Sequence, residues 1–134
     1  MRIKGFNLVA ILVATLAVYA VGFVLFGLII GDQYLEIAGI TKEQAEAVGA
    51  SRMPFSPVPP LVTAIGMAIL FRWGNVTGLA SGVKWGALVA LLSACPAIWY
   101  GWVYGVGSTA EPLLDSVHLL LGHMAAGAVL GAMK

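Results

Sequence analysis

The chain has 134 residues, 60% hydrophobic and 10% charged, with a formal net charge of +1. Soluble domains carry roughly a quarter charged residues, so a mean hydropathy of +0.97 excludes a water-facing surface over most of the molecule. The length leaves room for one domain, the near-neutral charge gives no electrostatic footing for nucleic acid, and the lone Cys95 excludes an intramolecular disulfide.

The start, Met1-Arg2-Ile3-Lys4 before an apolar run, has the look of a secretory signal. The run extends from Phe6 to Ile30, however, against a signal core of roughly 7–15 residues, and Ala17-Val18-Tyr19-Ala20 makes a poor cleavage site. A retained membrane span over about 6–30 is expected, with Asn7, Thr15 and Tyr19 its only hydrogen-bonding side chains. Gly31-Asp32 ends it, and an external loop covers 31–56. In that loop Thr41-Lys42-Glu43-Gln44 fits a capping box, which predicts a short surface helix from Lys42 to about Val48, stopped by Gly49. Tyr34, Leu35 and Ile37 are expected at the lipid headgroups.

The second span, about 57–73, is the least regular. Pro54, Pro57, Pro59 and Pro60 crowd its start and Arg72 bounds its end. Proline is tolerated in a first helical turn, which favours a short spanning helix. The other reading is a polyproline-like entry held at membrane depth by neighbouring helices. The third span, about 81–104, contains Pro96, which predicts a kink near Leu92–Pro96. Trp99, Tyr100, Trp102 and Tyr104 gather at its far end, as an interfacial aromatic belt or as the wall of a binding site. The fourth span, about 113–133, is followed by Lys134.

Basic residues set the orientation. Arg2 and Lys4 precede the first span, Arg72 and Lys84 flank the second connection, and Lys134 closes the chain. Five of the seven Lys and Arg therefore share one side, which the positive-inside rule makes cytoplasmic. The expected fold is an all-α integral membrane four-helix bundle with both termini in the cytoplasm.

In lipid, small residues mark where helix backbones touch. Gly78, Gly82 and Gly86 recur at every fourth position at the start of the third span, and Gly127 and Gly131 do so in the fourth. These stripes serve either packing within one bundle or contact with a second copy. Together they point to a homo-oligomer or a small subunit of a larger membrane complex.

Three ionisable groups enter the spans, all on the last helix: Asp115, His118 and His123. His118 and His123 lie about 7.5 Å and about 15 Å below Leu113, depths at which such groups are expensive and point to function. Asp115 and His118 are three apart and share a face, so a hydrogen bond between them is reasonable. His118 and His123 point apart, so one chain cannot aim both at one metal or haem. By depth, Tyr19 and Ser93 are the hydroxyls within reach of His123. A neutral, hydrogen-bonded packing histidine, a proton-relay or ligand-binding residue, and a metal or haem ligand are the three readings of it. No nucleophile elbow, phosphate loop, paired carboxylates within a span or His-Glu-x-x-His motif occurs, so neither a catalytic centre nor a cofactor is expected.

Several local patterns run in an order that resembles the bacterial membrane family catalogued as domain of unknown function 1761. They are Gly22-Phe23-x-x-Phe26-Gly27, then Tyr34-Leu35-x-x-Ala38-Gly39-Ile40-Thr41-x-Glu43, then Gly78-x-x-x-Gly82-x-x-x-Gly86, then Asp115-x-x-His118 and Gly127-x-x-x-Gly131. Where members of the family often have Trp-Tyr, this chain has Phe23-Val24. The resemblance implies four helices in a bacterial inner membrane, with Gly39, Gly82 and Asp115-x-x-His118 as recurrent features, and it implies no activity. The function expected is non-enzymatic, through self-association or as a complex subunit. The alternative is an oligomeric channel or proton-coupled carrier using the polar groups of the last helix.

Overall fold

The structure is a computed structural model that describes residues 2–3 and 5–133. Met1, Lys4 and Lys134, the last two part of the charge pattern, lie outside the described residues. The chain begins with a two-residue antiparallel ladder, β1 (Arg2–Ile3) against β2 (Phe6–Asn7). Helix α1 (Leu8–Gly22) follows and continues as a π-helical segment, Phe23–Ile29. Asn7 stands outside the helix and caps it: its side-chain oxygen accepts from the Ala10 amide at 3.4 Å. The first span therefore starts two residues later than hydropathy alone predicts.

The segment after the first long helix is more helical than expected. Residues Gly31–Ala38 form α2, stopped where Gly39 adopts φ 67°, a left-handed conformation that suits glycine. Tyr34, Leu35 and Ile37 thus sit on a helix and not in an extended loop. Helix α3 (Lys42–Arg52) carries the predicted capping box, with Gln44 N donating to Thr41 Oγ1 at 3.2 Å and Thr41 N donating to Gln44 Oε1 at 3.0 Å. It does not stop at Gly49. A glycine ends a helix by turning left-handed, as Gly39 does, and Gly49 has no positive φ among the described residues.

A 3₁₀ turn, Met53–Phe55, leads into α4 (Val58–Trp73), and α3 and α4 meet at an angle of 41°. Pro59 and Pro60 occupy the first turn of α4, where their missing amide hydrogens leave no orphan acceptor. This is the short-helix arrangement, not a polyproline entry. With 16 residues α4 is about 24 Å long, below the hydrocarbon thickness.

The third long helix is continuous from Leu79 to Tyr104 but changes character on the way. It runs as α5 (Leu79–Val89), a π-helical segment Ala90–Ala94 and α6 (Cys95–Tyr104). Pro96 has no N–H for the carbonyl of Leu92, and the ladder widens just before it. Helix α7 (Ala110–Ala132) is 23 residues long and starts three residues before the expected boundary, with Pro112 in its opening turn.

Helices α4 and α7 each run antiparallel to α1. Tyr19 meets Ser56 near the start of α4, while Arg72 near its end lies over the Phe6 ring at 4.8 Å. Asn7 Nδ2 donates to the Met133 carbonyl at 2.7 Å, so α1 begins where α7 ends. A core of Ala10, Ala14 and Val18 from α1, Met67 and Phe71 from α4, and Ala126 from α7 is buried between them. Thr15, also buried, returns its hydroxyl to the Ile11 carbonyl at 2.8 Å.

The glycine stripes meet each other. A Cβ on Gly82 would collide with the Gly127 carbonyl, and one on Gly127 with the Gly82 carbonyl. A Cβ on Gly86 would stand 2.8 Å from the His123 carbonyl carbon, and one on Gly131 3.0 Å from Gly82 Cα. Gly78, held at φ 85°, donates its amide to the Gly131 carbonyl at 2.8 Å, a backbone hydrogen bond between two helices. The stripes that raised self-association are therefore occupied within the chain. Their packing replaces side-chain burial as the force that joins α5 to α7.

Large apolar side chains face outward instead, among them Leu12, Leu16, Trp73 and Leu92. Among the described residues three helices, Leu8–Ile29, Leu79–Tyr104 and Ala110–Ala132, are long and apolar enough to cross a bilayer, and the bent pair α3–α4 makes a fourth if it counts as one span.

Candidate functional site

The polar groups of α7 divide into two sets. Glu111, Asp115 and His118 follow at steps of four and three, so they share one face at the N-terminal end of the helix. His123 lies elsewhere. It is 6% exposed, its backbone is pressed against Gly86, and its Nδ1 donates to the Leu119 carbonyl at 2.7 Å.

Neither expected partner reaches His123. The Tyr19 hydroxyl lies 3.3 Å from Ser56 Oγ, and Ser93 is exposed on the outer surface of the third long helix. A carbonyl one turn back satisfies the imidazole locally, which spares it a distant partner.

Asp115 and His118 are neighbours, but Asp115 bonds to Tyr34 instead. The Tyr34 hydroxyl donates to Asp115 Oδ1 at 3.2 Å, reaching across from α2. Burial, then the Asp115 charge and this hydrogen bond, push the Tyr34 phenol up to about 12. The Phe26 ring, from the π-helical end of the first span, supports both groups. It stands edge-on to Tyr34 at 4.7 Å and to His118 at 5.1 Å. Neither nitrogen of His118 makes a hydrogen bond among the described residues, and a Cβ at Gly22 would stand 2.9 Å from its Nε2.

Two clefts open on either side of this cluster. One, of about 240 Å³, is lined by Trp102, Ser108, Glu111 and Asp115. The other, of about 430 Å³, lies between α1 and the α3–α4 elbow and is lined by Tyr19, Phe23, Phe26, Ser56 and His118. Asp115 thus faces one cleft and His118 the other, one helical turn apart.

The aromatic group of the third span is split. Trp99 Nε1 donates to Ser116 Oγ at 3.1 Å and packs on Trp102 at 5.4 Å, while Tyr100 and Tyr104 pair at 4.8 Å on the exposed side. Cys95 is buried and points its thiol at the Ser116 carbonyl, 3.7 Å away. No three His, Cys, Asp or Glu side chains converge among the described residues.

Chemically, the cluster offers a carboxylate, an imidazole and a phenol, which exchange protons and hydrogen bonds. Tyr34, Phe26, Gly22 and Ser56 join the site without being singled out by depth or charge. The sequence signals are the place of Tyr34, Phe26 and Gly22 in the local patterns quoted above and the expected headgroup level of Tyr34.

Apolar outward faces, several bilayer-length helices and a polar cluster confined to one end define a multi-pass helical membrane protein. The chain belongs to the family described as protein of unknown function (DUF1761), whose profile matches residues 9–131. No curated protein and no solved structure matches it.

Proposed function

We propose that this is a non-enzymatic four-span protein of the bacterial cytoplasmic membrane, and that the outer end of α7 takes up a proton or a small polar solute. The observation that carries this reading is the Tyr34–Asp115 hydrogen bond beside an imidazole that makes no hydrogen bond among the described residues, between two clefts. An acid and a base one turn apart, each accessible from a different side, form the shortest element of a relay. Both termini face the cytoplasm in this reading. It rests on the five basic residues at that end and on the Asn7–Met133 contact, which brings the start of α1 beside the end of α7.

Reconstitution into liposomes loaded with a pH-sensitive dye tests the proposal. An imposed pH gradient should collapse faster than in empty vesicles, and Asp115→Asn should abolish the difference while His123→Leu leaves it. Equal rates for empty vesicles, the natural chain and Asp115→Asn would refute it.

Self-association is the second reading, now on a different surface. Ser93, Ala97 and Gly101 follow at steps of four on the third long helix, all exposed, and nothing lies within 4 Å of a Cβ built at Gly101. Such a line of small residues suits close approach of another helix. Ala97→Trp should convert a homo-oligomer in detergent to monomer; an unchanged native mass would remove this reading.

A further inference from the structure

The largest of these clefts has a structural cause in the shortness of α4. Helix α1 with its π-helical end spans 22 residues, from Leu8 to Ile29, whereas α4 has 16. Its entrance meets α1 at Tyr19, ten residues before Ile29. The α3–α4 elbow therefore sits below the outer end of α1 and leaves a notch of about 430 Å³ at membrane depth. The volume is that of a small-molecule site.

The walls of the notch are apolar, from Val18, Phe23, Phe26, Met53 and Pro60. Three hydrogen-bonding groups interrupt them. The Tyr19 and Ser56 hydroxyls stand 3.3 Å apart at the elbow, and the His118 ring, without a hydrogen bond of its own among the described residues, enters past Gly22. Gly22 has to lack a side chain for this, since a Cβ would crowd Nε2 at 2.9 Å.

Among the described residues, no Lys, Arg, Asp or Glu lines the notch. A charged head has no counter-charge there, and a water-soluble molecule finds mostly carbon. We infer that the notch binds a neutral, single-chain membrane amphiphile, whose hydroxyl or carbonyl head bonds to His118 and to the Tyr19–Ser56 pair while its chain lies along Phe23 and Phe26. This shares the membrane setting and His118 with the proposed function but does not require proton uptake by Asp115.

The probe is a monoacylglycerol carrying a diazirine in its acyl chain, added to the full-length protein in phosphatidylethanolamine–phosphatidylglycerol liposomes and photolysed. Labels should concentrate on residues 18–27 and 53–60. His118→Leu should cut that labelling about five-fold, the loss expected of one hydrogen bond of roughly 1 kcal/mol. His118→Gln, which keeps a donor, should retain most of it, and the same diazirine on an intact phosphatidylglycerol should show no such focus. Labelling spread evenly over all lipid-facing helices, or unchanged in His118→Leu with the protein's native mass and helicity preserved, would overturn the inference. Asp115→Asn should leave labelling intact, so loss of the proton signal alone counts against the proposed function and not against the notch.

Discussion

Tyr34 donates a hydrogen bond to Asp115 across 3.2 Å, and among the described residues this is the one hydrogen bond that ties helix α2 to the bundle. The bond joins a residue of the helix that follows the first long apolar helix to one near the start of α7.

This pair gives a titration that singles out one phenol among four tyrosines. With its pKa raised from 10.0 to about 12 in the folded state, Tyr34 stays protonated between those values while an unfolded chain would lose the proton. Folding is therefore favoured fully below pH 10.0, and the advantage is lost as pH rises toward about 12. Phenolate absorbance should show one late-titrating tyrosine, absent in Tyr34→Phe. A Tyr34→Phe curve identical to that of the natural chain would count against the bond.

The glycine contacts predict a sharp contrast among substitutions of identical chemistry. Gly82→Ala and Gly127→Ala place a methyl group against backbone, which cannot move aside as a side chain can, and each should cost about 1–3 kcal/mol or more. Gly66→Ala meets nothing within 4 Å and should be neutral or stabilising by about 0.5–1 kcal/mol. Thermal or sodium dodecyl sulfate unfolding in mild detergent measures both. Equal effects at the three positions would show that α5 and α7 do not touch as described.

The two histidines of α7 should separate in function. His123→Leu removes one local hydrogen bond, worth about 1 kcal/mol, in a buried site, so proton uptake and labelling of the notch should both survive. His118→Leu touches no hydrogen bond among the described residues and should leave stability nearly unchanged while reducing labelling. Reversed outcomes would assign the working imidazole to His123.

Helix α3 depends on its cap. Thr41→Ala removes the acceptor for the Gln44 amide and should cost about 1 kcal/mol of local helix stability. A backbone hydrogen bond and the Thr41 hydroxyl hold the Glu43 carboxyl below its usual range, so α3 should loosen further as acid protonates it. Amide hydrogen exchange over Lys42–Arg52 reads both effects. Asp32→Asn should change little, because the Lys42–Asp32 pair at 3.0 Å is exposed.

The features set by local chemistry were legible in the sequence. Thr41 and Gln44 announce the α3 cap, Pro59 and Pro60 fit the opening of α4, and Pro96 disturbs the turn before it. The glycine spacing located the helix contact, but a repeat of four names the touching face and not its partner. Gly82 is as consistent with a second chain as with Gly127. Likewise depth and charge found Asp115 and His118, whereas the sequence marks Tyr34 only as a headgroup-level residue and as part of a local pattern. Its route to Asp115 depends on α2 folding back over Phe26, a tertiary event that no periodicity encodes. His123 illustrates the converse. Its depth suggested a role, and a carbonyl four residues back satisfies it.

The π-helical segment Ala90–Ala94 also preserves a rotational phase. Its five residues each turn their successor by less than the roughly 100° of an α-helix, and together they cover about the arc of four α residues. Removing one residue there would let the ladder close to ordinary α geometry with everything after it facing as before. Trp99 would keep Ser116, the thiol of Cys95 would still point at α7, and Trp102 would stay in the cleft it shares with Asp115. The same deletion within Cys95–Tyr104 meets no wide turn to absorb it and would swing the residues after it by about 100°. A one-residue deletion in Ala90–Ala94 should therefore yield a folded bundle with its polar end intact, so the length of this stretch is under looser constraint than that of the α-helical segment that follows it.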